Sequence, residues 1–144
     1  MSAPEERLGH AAAPNMSLIE NILITSEQSQ NLVSKGFIDW KKSKAFAEKV
    51  INKFDVRTPG SQNTAGSLSG GNLQKFVIGR EILQNPSVFI VNQPTWGVDA
   101  AAASSIRQAL LTLSGNGAAI LVISQDLDEL LALSDQFAAV REGA

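Results

Sequence analysis

The sequence predicts an α/β fold in which a helical part precedes a short parallel sheet with flanking helices. Residues 88–91 and 118–123 are unbroken apolar runs bounded by polar residues, which is typical of parallel strands covered on both faces. A helical pattern follows each run, whereas the first half of the chain shows only helical patterns and loops. This alternation indicates right-handed β-α-β crossovers in residues 86–144, attached to a helical layer in residues 1–85.

Composition excludes several classes of function. The chain of 144 residues is 44% hydrophobic, and no apolar run approaches the ~20 residues that a membrane span needs. Twelve Lys and Arg residues against 14 Asp and Glu residues give a net charge of −2, so we expect no nucleic-acid partner. Cysteine is absent, which excludes disulfides and thiolate metal sites, and the N-terminus lacks the apolar segment of a signal peptide. We therefore expect a cytoplasmic protein.

The first half is predicted to contain two helices before the central motif. Residues 1–15 show no periodicity, and we expect an irregular segment in which His10, the only histidine, is solvated. Ser17 opens a capping box and a short helix, and a polar connector follows at residues 26–31. Asp39 then caps a longer helix. The apolar stripe of this longer helix contains Phe46, Val50 and Phe54. Its lysines are expected to face solvent, namely Lys41, Lys42, Lys44 and Lys49.

A glycine-paired turn and the start of a helix lie at residues 68–75, which read Leu-Ser-Gly-Gly-Asn-Leu-Gln-Lys. Ser69 is a favourable helix N-cap, and Gly70 and Gly71 leave the first backbone N–H groups sterically open. These N–H groups and the positive end of the helix dipole favour a phosphate. We predict that the helix is amphipathic. Its apolar stripe contains Leu73, Phe76, Val77 and Leu83.

The second half contains the two strand runs, two more helices and a third, weaker strand. Asp99 caps one helix, which a Gly-Asn-Gly sequence ends at residues 115–117. Asp126 starts another helix that continues through Leu133, and residues 137–140 are predicted to form the third strand.

Polar segments follow both strand runs. In an open α/β sheet, ligands bind beyond the carboxyl ends of the strands. The first run is followed by residues 92–99, Asn-Gln-Pro-Thr-Trp-Gly-Val-Asp, and the second by residues 124–126, Ser-Gln-Asp. These two segments are therefore the places where a binding site is expected.

Together the motifs resemble the ATPase subunits of ATP-binding cassette (ABC) transporters. In that family a signature motif precedes a Walker B strand ending in Asp-Glu-Pro-Thr, a Gly-Leu-Asp D-loop and a strand ending at the H-loop histidine, in the order and spacing seen here. The strings Leu-Ser-Gly-Gly-Asn-Leu-Gln-Lys and Gln-Pro-Thr-Trp-Gly-Val-Asp are most similar to the second cassette of double-cassette importers of simple sugars and nucleosides. The resemblance implies a partial P-loop NTPase (ABC cassette) fold. It assigns a Q-loop remnant and the helical signature subdomain to residues 1–85, and the Walker B to H-loop part to residues 86–144.

Several residues depart from the family pattern. No Gly-x-x-x-x-Gly-Lys-Ser/Thr occurs, so the Walker A loop is missing and we expect a fragment of a longer subunit that holds no ATP by itself. Glu5 stands at the position of the Q-loop glutamine. Asn92 replaces the Mg²⁺-binding aspartate, Gln93 the catalytic glutamate, and Gln125 the H-loop histidine. Neutral amides neither supply the charge that Mg²⁺ favours nor take a proton, so we expect this site to bind nucleotide rather than hydrolyse it.

The signature motif serves the other cassette in this family. The resemblance implies that Ser69, Gly70 and Gly71 cap the γ-phosphate of ATP on the partner's Walker A loop. It also implies that Gln74 belongs to the nucleotide-binding motif and that Asp99 meets the partner across the dimer. ATP and Mg²⁺ are the cofactors implied for the intact pair. The implied partners are a second cassette and membrane-spanning permease subunits, which place the protein at the inner face of the cell membrane.

Two functions remain open from the sequence. The first is a part of an importer ATPase, in which ATPase activity belongs to the parent subunit and this chain alone is inactive. The second is a non-catalytic regulatory or interaction module with a relic cassette fold, because both Walker B acids are lost and the signature turn also makes sense as a plain helix cap. Exposed strand edges favour a homo-oligomer of the chain. We also expect Trp96 to be partly exposed.

Overall fold

The computed structural model describes residues 1–4 and 8–141, which form a helical layer and a small parallel sheet. The predicted α/β class is confirmed. No helix within these two ranges is long and apolar enough to cross a bilayer. The elements in chain order are β1 (Ser2–Ala3), α1 (Leu18–Ser26), β2 (Val33–Ser34), β3 (Phe37–Ile38), α2 (Trp40–Lys53), α3 (Gly70–Ile82), β4 (Val88–Asn92), α4 (Ala100–Gly115), β5 (Ala119–Ile123) and α5 (Leu127–Leu133).

The first two helices begin at the predicted side-chain caps. Ser17 Oγ accepts the Glu20 N–H at 3.2 Å, and Glu20 Oε2 accepts the Ser17 N–H at 2.7 Å, which completes the capping box of α1. Asp39 Oδ1 accepts a backbone N–H at 3.0 Å at the start of α2. Phe46 and Val50 of α2 are buried and its lysine face is exposed, as predicted.

Helix α3 lies at the centre of the fold and is buried on all sides after its first turn. Every residue from 73 to 82 is buried, because α1, α2, α4 and β1 all contact this helix. The prediction of an amphipathic helix is therefore wrong. Packing leaves no room at Gly79, where a Cβ atom would lie 2.5 Å from the Phe54 ring.

A buried ion pair on α3 ties this helix to the first half of the chain. Arg80 Nε donates to Glu81 Oε1 at 2.7 Å, and the two side chains are 2% and 0% exposed. The other guanidinium nitrogens donate to the backbone carbonyls of Asn21 and Ala11, both at 2.9 Å. Glu81 Oε1 also accepts the Thr25 hydroxyl at 2.7 Å. The pair thus joins α3 to α1 and to the segment before α1.

In the described part of the chain, the sheet has three parallel strands in the order β1–β4–β5. Strand β1 and the antiparallel β2–β3 hairpin lie in the half that was predicted to hold only helices and loops, so that prediction is wrong. Two-residue strands carry no periodic signal, which is why the sequence did not reveal them. Residues 137–140 form no strand, and the prediction of a third strand there is also wrong.

Within the described residues, only one face of the sheet is covered. Phe89 and Val91 of β4 are fully buried in the same core as α3 and α4. Ile90, Leu121 and Ile123 are 41%, 55% and 48% exposed. The prediction that both strand runs are covered on both faces is therefore wrong for this chain, since the helices that contact the sheet pack on the Phe89 side.

We expect Glu81→Ala to lower the free energy of unfolding by about 3–5 kcal/mol, because it leaves the Arg80 guanidinium buried without its counter-charge. Urea unfolding measures this change. The control is Glu48→Ala, since Glu48 forms an exposed ion pair with Lys44 at 3.7 Å whose loss costs only ~0.5 kcal/mol. Equal losses of stability in the two variants would contradict the prediction.

Candidate functional site

The signature turn (residues 68–71) leads into α3 and is open to solvent. Ser69 is the N-cap of α3, and its Oγ accepts the Asn72 backbone N–H at 3.4 Å and the Asn72 Nδ2 at 2.9 Å. Ser69 and Gly70 are exposed and Gly71 is half-buried. The predicted cap is confirmed, and an exposed N-terminus of a 13-residue helix is an environment that favours phosphate.

The loop after β4 (the β4 loop, residues 93–98) packs against the signature turn. A Cβ atom on Gly71 would lie 3.1 Å from the Gly97 carbonyl oxygen and 3.7 Å from Val98 Cα. Gly97 has a φ of +68°, a left-handed conformation that glycine adopts without strain. The two glycines therefore allow the two segments to approach closely. Trp96 in the same loop is 63% exposed, as predicted.

Gln74 holds the β4 loop from the side of α3. Its Nε2 donates to the carbonyl oxygens of Gln93 at 3.2 Å and Pro94 at 2.9 Å, and the residue is 3% exposed. The Gln93 N–H donates to the Ile123 carbonyl oxygen at 2.7 Å, immediately beyond the β4–β5 pairing. Gln93 has a φ of +50°, so these hydrogen bonds hold a residue in a conformation that glutamine rarely adopts.

The carboxylate of Glu129 joins the β4 loop to the loop after β5 (the β5 loop, residues 124–126). Glu129 Oε1 accepts the Thr95 hydroxyl at 2.6 Å, Oε2 accepts the Ser124 hydroxyl at 2.7 Å, and the residue is 1% exposed. The Glu129 N–H donates to Asp126, the N-cap of α5, at 3.1 Å. Thr95 and Ser124 lie in the two segments where a binding site is expected from the sequence, but neither of them, nor Glu129, is among the predicted site residues. The Asp126-x-x-Glu129 spacing resembles a capping box and is the sequence signal that points to Glu129. The buried position of the Glu129 carboxylate is not evident from this spacing, because it depends on Thr95, 34 positions earlier.

The structure places the predicted amide residues at the ends of two adjacent strands. Asn92 ends β4 and is half-buried, and Gln93 starts the β4 loop with 7% exposure. Gln125 lies exposed in the β5 loop. The pairing of β4 with β5 brings the two loops together, as expected for the carboxyl ends of parallel strands. Glu5 lies outside the described residues.

The residues at the two strand ends do not fit a magnesium site. Asn92, Gln93 and Gln125 are neutral amides, whereas Mg²⁺ prefers carboxylate and phosphate oxygens. In the part of the chain that the structure describes, no cluster of three or more His, Asp or Glu side chains is placed to hold a metal ion. The signature turn, in contrast, has the helix polarity that suits an anion.

Asp99 follows the β4 loop and caps α4. Its Oδ1 accepts the Ala102 N–H at 2.9 Å, and the residue is exposed. This hydrogen bond, reinforced by the positive charges of Lys75 and Arg57, holds the pKa of Asp99 below its ordinary value. The carboxylate is therefore ionised at neutral pH beside the signature turn.

Two solved structures have the same arrangement of elements. The dimeric post-hydrolysis state of the ATP-binding cassette MJ0796, bound to ADP and phosphate, matches 89% of this chain with a TM-score of 0.70 and 20% identity. Another dimeric structure of that bacterial ABC transporter cassette matches 91% with a TM-score of 0.71 and 17% identity. This chain has about half of the ATP-binding cassette fold, and we call it the cassette segment. It covers 53% and 54% of those two chains.

Curated proteins similar to this cassette segment are ATP-binding proteins of importers. The segment is 40% identical to the nucleoside import ATP-binding protein NupA of Lactococcus lactis subsp. cremoris and 39% identical to the glucose import ATP-binding protein TsgD13 of Haloferax volcanii, each over 97% of its length. It is 38% identical over 98% of its length to the arabinose import ATP-binding protein AraG of Vibrio parahaemolyticus. The segment spans only 28%, 26% and 28% of these three relatives. No protein-family model matches the chain.

We expect Gln74→Leu to destabilise the cassette segment by about 1–3 kcal/mol, because the carbonyl oxygens of Gln93 and Pro94 lose a buried donor. Urea unfolding gives the total cost, and amide hydrogen exchange shows whether opening of the β4 loop is affected most. Gln108→Leu makes the same change at an exposed position of α4 and is the matched control. The prediction fails if both variants behave alike.

We expect the cassette segment to lose the stabilising contribution of Asp99 on acidification. Its folded-state pKa lies below its unfolded-state value, so the ionised carboxylate stabilises the fold above the unfolded-state pKa, and this contribution is lost as the pH falls through the folded-state pKa. Asp99→Asn keeps a helix cap that does not titrate. The stability advantage of the wild type over this variant should be constant above about pH 5 and shrink as the pH falls from about 5 to about 3. Urea unfolding across that range measures it, and a pH-independent difference would refute the prediction.

Proposed function

We propose that this chain is the Q-loop to H-loop part of the second cassette in the ATP-binding subunit of a sugar or nucleoside importer. The relatives described above carry the names of such ATP-binding proteins. The motif order supports a Q-loop remnant, including Glu5, and the signature subdomain in residues 1–85. Residues 86–144 then form the Walker B to H-loop part.

The packing of the signature turn on the β4 loop carries this proposal. Close approach of Gly71 to Gly97 joins the signature turn, which exposes Ser69 and Gly70, to the β4 loop, which the exposed Asp99 follows. Such a surface suits the phosphates of a nucleotide that a second cassette holds, since the chain has no Walker A loop of its own. In this proposal Ser69, Gly70 and Gly71 cap the partner's γ-phosphate, and Asp99 meets the partner.

The chain's own Walker B end is proposed to bind nucleotide without hydrolysing it. Asn92 and Gln93 offer hydrogen bonds but neither the charge that Mg²⁺ favours nor a base for the attacking water. Gln125 has an exposed amide that is able to bond a phosphate oxygen, but it does not shuttle protons near neutral pH. Gln74 links the signature turn to the chain's own Walker B end, because it lies on α3 and its side chain bonds the backbone of the β4 loop.

The cofactors and partners follow from this assignment. ATP and Mg²⁺ belong to the assembled cassette pair, and we expect neither on this chain alone. The solved cassette of the same fold is dimeric and carries ADP and phosphate. Membrane-spanning permease subunits are the further partners, so the assembled protein lies at the inner face of the cell membrane.

A non-catalytic regulatory or interaction module with a relic cassette fold is the second candidate. The three amides at Asn92, Gln93 and Gln125 favour it, because together they remove both the metal ligand and the proton acceptor from one site. In this case the signature turn acts only as the cap of α3.

We expect Ser69→Arg to lower the ATPase and transport rates of the complete importer at least tenfold, because the long side chain fills the space before α3 that a phosphate needs. A tenfold loss corresponds to ~1.4 kcal/mol, the scale of one charge-assisted hydrogen bond. The measurement uses the complete subunit that contains this cassette, assembled with its permease. Ser114→Arg is the matched control, since Ser114 is exposed at the other end of α4, roughly 20 Å from Asp99.

Each result separates the two candidates. Unchanged rates in the Ser69→Arg variant, with an active control, would rule out a role of the signature turn at the partner's nucleotide. Nucleotide titration of the same subunit provides the second measurement. Absence of nucleotide-dependent dimerisation would favour the relic module.

A further inference from the structure

We infer that Glu129 is a positioning residue that couples the chain's own nucleotide-binding loops to the signature helix, an inference that rests on the proposed function. Glu129 lies in the first turn of α5 and is 1% exposed. It is not one of the residues that the cassette motifs assign to nucleotide. Its carboxylate nevertheless bonds both loops that carry the site amides.

The two hydrogen bonds of the carboxylate act next to the site residues. Ser124, which donates to Glu129 Oε2 at 2.7 Å, directly precedes Gln125. Thr95, which donates to Glu129 Oε1 at 2.6 Å, lies two positions after Gln93. A displacement of either loop therefore changes a short, buried hydrogen bond to the same side chain.

The direction of these bonds is fixed by their chemistry. A carboxylate only accepts hydrogen bonds, so the hydroxyls of Thr95 and Ser124 must both donate to Glu129. The Ser124 oxygen in turn accepts the Asp126 N–H at 3.1 Å. An amide in place of the carboxylate would present an oxygen acceptor on one side and an NH2 donor on the other, so one of the two hydroxyls would have to accept instead of donating and its own hydrogen would lose this acceptor.

A chain of hydrogen bonds continues from Glu129 to α3. Thr95 is in the β4 loop, whose Gln93 and Pro94 carbonyl oxygens accept the Gln74 amide. Gln74 lies one turn after the signature glycines on α3. The β5 loop at the chain's own site is thus connected through Glu129, the β4 loop and Gln74 to the turn proposed to serve the partner's nucleotide.

This connection assigns a regulatory function to the chain's own nucleotide site, which lacks the catalytic residues. Gln93 holds an unfavourable φ of +50°, and contacts from three elements fix its turn: Gln74 on α3, Ile123 on β5 and, through Thr95, Glu129 on α5. Nucleotide bound at Gln125 is therefore able to alter the β4 loop and the signature helix without any hydrolysis at this site.

The first test measures local opening in the 144-residue chain itself. We expect Glu129→Gln to speed amide hydrogen exchange about tenfold in the β4 and β5 loops, the effect of losing ~1.4 kcal/mol of local stability. Asp128→Asn removes an exposed carboxylate one position earlier and should leave exchange in both loops unchanged. A uniform increase that includes α1 and α2 would show a merely structural role and overturn the inference, as would no increase in either loop.

The second test measures nucleotide response in the complete subunit. Thr95→Val keeps the side-chain shape but removes the hydroxyl, whereas Thr95→Ser keeps the hydroxyl. We expect Thr95→Val and Glu129→Gln to raise the ATP concentration required for cassette dimerisation about tenfold. In Thr95→Ser, which keeps the hydroxyl, this concentration should stay near the wild-type value. Equal effects of Val and Ser at this position would overturn the inference. If the wild-type subunit shows no nucleotide-dependent dimerisation, the proposed function fails, and the exchange test still decides whether Glu129 positions the loops.

Discussion

The ion pair between Arg80 and Glu81 in the buried middle of α3 is the constraint on which the rest of the structure depends. Burying two charges is costly, and the cost is offset here because all three guanidinium nitrogens donate hydrogen bonds and both carboxylate oxygens accept them. Two of these bonds end on the carbonyls of Asn21 and Ala11, so they position α3 against the first half of the chain. The signature turn at the start of α3 is positioned through the same contacts.

The candidate site is built from loops, and buried side chains hold these loops by hydrogen bonds. The left-handed conformation of Gln93 would be unfavourable alone, whereas Gly71 and Gly97 allow the two segments to approach closely without strain. The Gln93 conformation persists because Gln74 on α3 and Glu129 on α5, both buried, bond the β4 loop. Loops held in this way suit a surface that meets a partner in a defined geometry, because less conformational entropy is then lost on association.

The sequence revealed those features whose cause is local. Ser17, Asp39, Ser69 and Asp99 cap helices through bonds to residues three positions away, so their letters and spacing suffice. The features that it did not reveal depend on distant partners: β1 is two residues long and exists through its pairing with β4, and α3 is buried by four separate elements. The role of Glu129 likewise depends on Thr95 from another loop. The sequence motifs located the side-chain amides of Asn92, Gln93 and Gln125. The hydrogen bonds that hold their loops became visible only in the three-dimensional structure.

The sheet face that the described residues leave uncovered has a consequence for measurements on this chain. Ile90, Leu121 and Ile123 present adjacent apolar side chains to water from two paired strands. Any molecule that covers this face binds the folded state and not the unfolded chain, and at a hundred times its dissociation constant it adds about 2.7 kcal/mol to the free energy of unfolding. The melting temperature of this chain therefore depends on which molecule covers the sheet face and on the concentration of that molecule. A single melting temperature describes the chain only when both are specified.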